Sequence, residues 1–342
     1  MATTWHSANK GPAAVYRSIM VPLDGSPFSE QALPLARSIA MHTGAALHLV
    51  HVHVPIAYVY LGDVNLGGVP TGDGGLDDDL RTNEQRYLDA IRQRVATEDG
   101  PGTDCTLLDG PAAEALARHA ATTDTDLIVM TTHGHGVVTC LWLGSVAHGL
   151  IHRSTVPILV LYPQHASRPG DPAAFRKMLI PLDGSPLAEA ILEPALALGM
   201  LTGTEYVLVQ IIDPRAQPGD VQIEYAAGLD DVVTEELRSA AEAYLGQVAA
   251  TLRAQGYAVQ TRVVIAEHTA DTLLETAEAS AADVIAMTTH GRGGLGRVLL
   301  GSVADKVVRG ATTPVLLVRS QEIKEHVEGA TRSRTGIPAD SS

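Results

Sequence analysis

At 342 residues, 45% of them hydrophobic and 18% charged, the chain has the length and composition of two ordinary globular domains rather than of a disordered polymer. Its formal net charge of -15, with no basic cluster or aromatic-interleaved strip, repels polyanions and sets nucleic acid aside as a partner. Two cysteines, Cys105 and Cys140, without C-x-x-C spacing suit a reducing compartment, and the sequence shows neither a signal-peptide core nor an apolar run near the ~20 residues of a membrane span, so a soluble, cytoplasmic protein is expected.

Residues 1–16 read as a loose leader. Ser18 to Leu23 is an apolar run that stops at Asp24-Gly25-Ser26, a strand ending in a turn, and a helix should follow from about Ser29 as N-cap, with Pro34 bending its first turns. A second strand, Ala46 to Val54, leads into a glycine- and aspartate-rich stretch, Pro55 to Asp79, expected to be a long loop. A polar helix over about Leu80 to Thr97, a strand over Thr103 to Leu108, a helix from Pro111 and a strand over Asp126 to Met130 come next. Thr131-Thr132-His133-Gly134 then opens a glycine loop that closes on Gly144-Ser145, where another helix begins, and Pro157 to Leu161 is the last strand of this half. Strands alternating with helices of this length imply right-handed crossovers and a parallel sheet covered on both faces, one α/β domain over residues 17–163.

Residues 164–175 read as a Pro/Gly/Ser linker, and then the programme restarts. K-M-L-I-P-L-D-G-S-P from Lys177 repeats Ser18 to Pro27 almost letter for letter, and the following helix again carries a proline, Pro194. A strand over Glu205 to Ile212, a long helix over about Val232 to Gln255, strands over Ala258 to Ile265 and Asp283 to Thr288, and a last strand over Pro314 to Val318 reproduce the first half. The second domain is expected over residues 176–320 and a disordered tail over 321–342.

Thr288-Thr289-His290-Gly291 followed by Gly301-Ser302 matches the first-half loop in spacing. Such a loop makes a phosphate cradle: Gly134 or Gly291 lets the chain leave its strand tightly, and Gly144-Ser145 or Gly301-Ser302 puts bare backbone, free N–H groups and a hydroxyl at a positive helix end. Gly291 to Gly296 also spells G-x-G-x-x-G, but it follows a late strand, lacks the acidic residue about 20 positions on, and is incomplete in the first copy, so a dehydrogenase reading is set aside. In a doubly wound, Rossmann-like sheet of five strands in the order 3-2-1-4-5, the first and fourth strands are neighbours where strand order reverses. The D-G-S turn and the glycine loop of each half would then converge on one crevice.

With these motifs in place, the chain resembles the universal stress protein family in its tandem, two-domain form. The family's ATP-binding pattern lies on Thr131, Gly134, Gly144 and Ser145 and again on Thr288, Gly291, Gly301 and Ser302, a threonine replacing the pattern's first glycine each time. The resemblance implies Asp24 and Asp183 at the adenosine end, Val52, Ile211, Met130 and Met287 near the base, and backbone N–H groups of Val146 and Val303 on phosphate. It further implies ATP, with Mg2+, as ligand, a role in the stress response, and pairing of the two halves through their last strands as a pseudo-twofold pair, with a further homodimer open.

Simpler readings stand beside these. Asp before Gly is ordinarily a turn former, and Ser at a helix start an N-cap. His51 and His53 share a strand face, with His48 nearby, but the second half has no histidine there, which favours packing over a metal site. His133 and His290 recur and read as loop-orienting hydrogen-bonders. Arg292 and Arg297 in the second loop stand where the first has His135 and Cys140, so the second crevice should hold phosphate more tightly. An ATPase or a nucleotidyl or phosphoryl transferase is the alternative, but neither loop contains the Asp or Glu such chemistry needs for metal or proton transfer, which favours binding with little or no turnover.

Overall fold

The computed structural model describes residues 16–55, 74–96, 100–132, 143–162, 175–200, 202–213, 229–290 and 300–319. The first half runs β1 (Ser18–Leu23), a 3-10 turn (Ser29–Gln31), α1 (Ala32–Thr43), β2 (Ala46–His53), α2 (Gly74–Val95), β3 (Thr103–Asp109), α3 (Ala112–Thr122), β4 (Leu127–Thr131), α4 (Ser145–Arg153) and β5 (Ile158–Leu161). The second runs β6 (Lys177–Pro181), α5 (Pro186–Glu189), α6 (Leu192–Gly199), β7 (Glu205–Ile212), α7 (Leu229–Ala254), β8 (Ala258–Ile265), α8 (Thr269–Ala279), β9 (Val284–Thr288), α9 (Ser302–Gly310) and β10 (Val315–Val318).

The strands form one ten-stranded sheet in the order β3-β2-β1-β4-β5-β10-β9-β6-β7-β8. Within each half every pairing is parallel and the order is 3-2-1-4-5, as the alternation of strands and helices requires. The halves meet at an antiparallel pair of last strands, in the register Val315↔Val160, Leu316↔Leu159 and Leu317↔Ile158. Each last strand thereby covers an edge that would otherwise present unpaired N–H and C=O groups to water.

Alternation along each strand sends side chains to two apolar layers. One lies under α1, α2, α6 and α7 and holds Ile19, Val21, Leu47, Leu49, Leu88 and their second-half counterparts. The other lies under α3, α4, α8 and α9 and holds Met20, Val50, Ile128, Leu150 and theirs. Both layers include residues of both halves, so the core runs unbroken across the β5–β10 seam.

Two local expectations need correction. The first helix begins at Ala32, not near Ser29, because Pro34 has no N–H for the carbonyl four residues back and fits only a first turn. The chain before it winds instead as a short 3-10 turn. Pro194 interrupts the matching helix in the same way, separating α5 from α6. The stretch expected as loop up to Asp79 is helical from Gly74, with Asp77 in the first turn of α2, where negative charge suits the helix N-terminus.

Candidate functional site

The C-terminal ends of β1 and β4, neighbours in the sheet, carry the two motifs of the first half, and those of β6 and β9 carry the two of the second. At the first motif, Gly25 and Gly184 adopt φ 82° and 81°, a left-handed conformation that a side chain would strain. Asp24 Oδ1 accepts from the Ser26 N–H at 2.9 Å and from its hydroxyl at 2.6 Å. Asp183 Oδ1 does the same with Ser185, at 2.9 and 2.6 Å. Each aspartate is thus a turn former, built identically twice. The serine two positions on receives the next turn: Ser185 Oγ caps α5 by accepting from the Ala188 N–H at 3.1 Å, and Ser26 Oγ accepts from the Ser29 N–H at 3.2 Å ahead of the 3-10 turn, whose N-cap position is Phe28. Ser29, expected as the N-cap, is buried and braces the turn by donating to the Ser26 carbonyl.

At the second motif, Gly144 and Gly301 occupy the N-cap positions of α4 and α9, and neither helix has a side-chain cap bond. Their own N–H groups are not free as expected. Gly144 N–H donates to Thr132 O and Gly301 N–H to Thr289 O, both at 2.9 Å, which ties the end of each loop back to its start. In the first helical turn the N–H groups of Ser145 and Val146, or of Ser302 and Val303, have no partner inside an α-helix. A Cβ on Gly301 would sit 3.0 Å from Thr289 O, so loop end and loop start approach closely enough that a side chain there would make the neighbour give by a few tenths of an ångström. Thr288, in place of the pattern's first glycine, is buried and turns its hydroxyl onto His290 O at 2.7 Å, fastening the loop from within. His290 Nδ1 lies 3.0 Å from Thr289 Oγ1, the hydroxyl of the residue before it.

Val52, Met130 and Val146 pack in the same apolar layer of the first half, and Ile211, Met287 and Val303 in that of the second. Gly134, Gly291, Arg292 and Arg297, with His133, His135 and Cys140, lie outside the described residues. The sequence did not point to Thr132 and Thr289, whose carbonyls anchor the glycines, although their recurrence was visible. Nor did it point to Asp305, in the first turn of α9, whose two oxygens lie 2.9 Å from Arg309 Nε. That pairing offsets a negative charge which would oppose phosphate, and the first half has His148 at the corresponding place.

The strand histidines form a different structure. His51 Nδ1–H donates to Leu23 O at 2.7 Å, bracing the end of β1 against β2. His53 Nδ1–H donates to Glu84 Oε2 at 2.7 Å, and its Nε2 lies 3.3 Å from Asp77 Oδ2, so α2 is fastened to β2 through the ring. Burial of the ring opposes its charge, but hydrogen bonds to Glu84 and Asp77, reinforced by their negative charge, hold the His53 pKa above its ordinary value. Among the described residues no group of three or more His, Cys, Asp or Glu has metal-holding geometry. Cys105 is half-buried, and burial followed by the Asp89 charge pushes its thiol up, away from reactivity. No helix among the described residues is long and apolar enough to cross a membrane.

A model of the universal stress protein family matches residues 15–161 and again 174–319. A universal stress protein of Mycolicibacterium smegmatis is 27% identical over 322 residues, 90% of this chain and 98% of that one. Another, from Mycobacterium tuberculosis, is 27% identical over 310 residues, 88% and 96% of the two chains. The crystal structure of a universal stress protein from Archaeoglobus fulgidus shares the fold, with a TM-score of 0.63 at 20% identity over 89% of this chain and 98% of that one.

Proposed function

The chain belongs to the universal stress protein family, and we propose that its halves use their crevices to bind ATP, as a nucleotide-dependent regulatory module of the stress response with little or no turnover. The observation that carries this reading is the doubled cradle. Two helices without side-chain caps start at Gly144 and Gly301, beside strand ends, each held by the same glycine-to-threonine backbone bond. Uncapped N-termini in such a position suit the phosphates of a nucleotide through their N–H groups and positive helix ends.

Asp24 and Asp183 each fix a turn through Oδ1, and in this reading the rigid carboxylate also accepts hydrogen bonds from the ribose end. Val52 and Met130, or Ile211 and Met287, supply the apolar wall for the base. Mg2+ would arrive with the nucleotide, held mainly by its phosphates, since no metal-holding cluster stands among the described residues. Hydrolysis needs a positioned base or metal carboxylate near the transferred phosphate, and neither glycine loop contains Asp or Glu.

Mass spectrometry of what co-purifies with the full chain tests the reading. An adenine nucleotide near two per chain is expected; a flavin, or no bound nucleotide with no affinity for added ATP, counts against it. Steady-state ATP turnover within the usual enzyme range of roughly 1–1000 per second would replace the module with an ATPase.

A further inference from the structure

A small cleft lies on the seam between the halves, beside the second glycine loop. Its walls are Thr289, His290 and Leu300 of the second half, Ile151 and His152 from the last turn of α4 in the first, and Arg319 just past β10. Three of these six side chains carry ring or guanidinium N–H donors and none is acidic, in a chain whose net charge is -15. Arg319 Nη1–H donates to Arg153 O at 3.4 Å, which holds the guanidinium over the C-terminal end of α4 and occupies one of its five donors. The helix end there carries roughly half a negative charge, and the full charge of the guanidinium more than offsets it.

The matching place in the first half carries a different side chain. Tyr162 follows β5 as Arg319 follows β10. Its ring is buried, and its hydroxyl donates to Val308 O of α9 at 2.6 Å. Each half therefore sends the residue after its last strand onto the other half's cradle helix, a plug in one direction and a cation in the other.

We propose that this cleft is an anion subsite, in which His152, His290 and Arg319 meet an oxygen of the terminal phosphate of a nucleotide seated in the second crevice, so that the first half completes the second half's site. The proposal rests on the nucleotide reading above. Thr289 makes the cleft adjoin the cradle directly, since it forms a wall of one while its carbonyl anchors Gly301 in the other. The consequence is a division of labour: the second crevice distinguishes a nucleoside triphosphate from a monophosphate, and the first, plugged by Tyr162, does so far less.

Calorimetry on the full chain decides this, with ATP and AMP as titrants and Gly144→Glu in the background to block the first crevice. Arg319→Tyr, which installs the first half's plug, and His152→Ala should each weaken ATP about tenfold, the worth of one charge-assisted hydrogen bond, and leave AMP unchanged. Arg319→Lys should retain most of the ATP affinity. ATP and AMP weakened alike, or ATP unaffected by both changes, overturns the proposal. If the unmodified chain binds neither nucleotide, the nucleotide reading falls, and inorganic pyrophosphate then tests the cleft alone. Shifts of the His152 and His290 ring resonances that vanish in Arg319→Tyr sustain an anion subsite, and no shifts overturn it as well.

Discussion

His53 fastens α2 to β2 between two carboxylates, and because both its nitrogens face acidic oxygens the arrangement favours the protonated ring. The groups around it are His51, Glu84 and Asp77, with Arg81 on α2 paired to Asp109 of β3. Since its folded pKa is raised above the ordinary 6.5, its contribution is complete below that value and is lost as pH rises through the folded pKa. The gap in melting temperature between the natural chain and His53→Gln should therefore be widest near about pH 6 and close as the solution becomes alkaline. A gap that stays constant from about pH 6 to 9 would show that the ring acts by packing alone. Gly301 has φ -59° and ψ 146°, open to any residue, so a substitution there meets its obstacle in space and not in backbone strain. Gly301→Ala should push the loop away from Thr289 O at a cost of about 1–3 kcal/mol and weaken nucleotide binding at the second crevice. Unaltered affinity by calorimetry in a Gly144→Glu background would disprove that the close approach serves the ligand. At this scale the sequence was legible where the repeat was consulted. Ser26 recurs as Ser185, and both accept from the N–H three residues on, whereas Ser29 is matched by Ala188 and caps neither helix.

Strand limits were legible from apolar and β-branched runs, in the largely buried Glu205–Ile212 and even in the edge strand Ala258–Ile265, half of which is exposed. Helix starts were less so, since a proline three positions inside decides between an α and a 3-10 first turn, and an apolar pattern does not reveal that choice. The start of α2 was hidden by glycines and aspartates that resemble a loop, though acidic residues also suit a first helical turn. Helix-to-helix contact was not legible at all. Gly149 in α4 lies so near α3 that a Cβ there would be 2.6 Å from the Ala113 Cβ, a clash between two rigid groups. Gly149→Ala gains helix propensity worth about 1 kcal/mol, yet overpacking of about 1–3 kcal/mol should prevail and lower stability. Ala113→Gly combined with it should restore part of the loss. Equal destabilisation by the two changes, adding without rescue in a double-mutant cycle, would place the cost elsewhere.

The duplication, the strand order and the apolar last strands could be read from the sequence, but the residues that link the halves could not, because they differ between the copies. Tyr162 and Arg319 share a place and not a chemistry, and Tyr16 of the first half donates its hydroxyl to Pro194 O of the second at 2.9 Å. Duplicated domains commonly unfold separately when joined by a polar, weakly buried contact. Here the joint is a strand pair inside a continuous sheet, flanked on both faces by apolar layers that cross the seam. Leu159 and Leu316, register partners at the centre of that joint, are both fully buried. Unfolding one half would expose the other half's last strand and its share of both layers, so a half-folded chain loses burial and edge protection together. Scanning calorimetry of the full chain should then show a single transition whose calorimetric and van't Hoff enthalpies agree. Leu316→Ala, which opens a cavity at the seam at a cost of about 2–5 kcal/mol, should lower that transition as one or split it in two. Hydrogen exchange distinguishes these cases: in the natural chain the amides of β1 and β6 should lose protection together, and two separate unfolding steps there would mean that each half stands on its own.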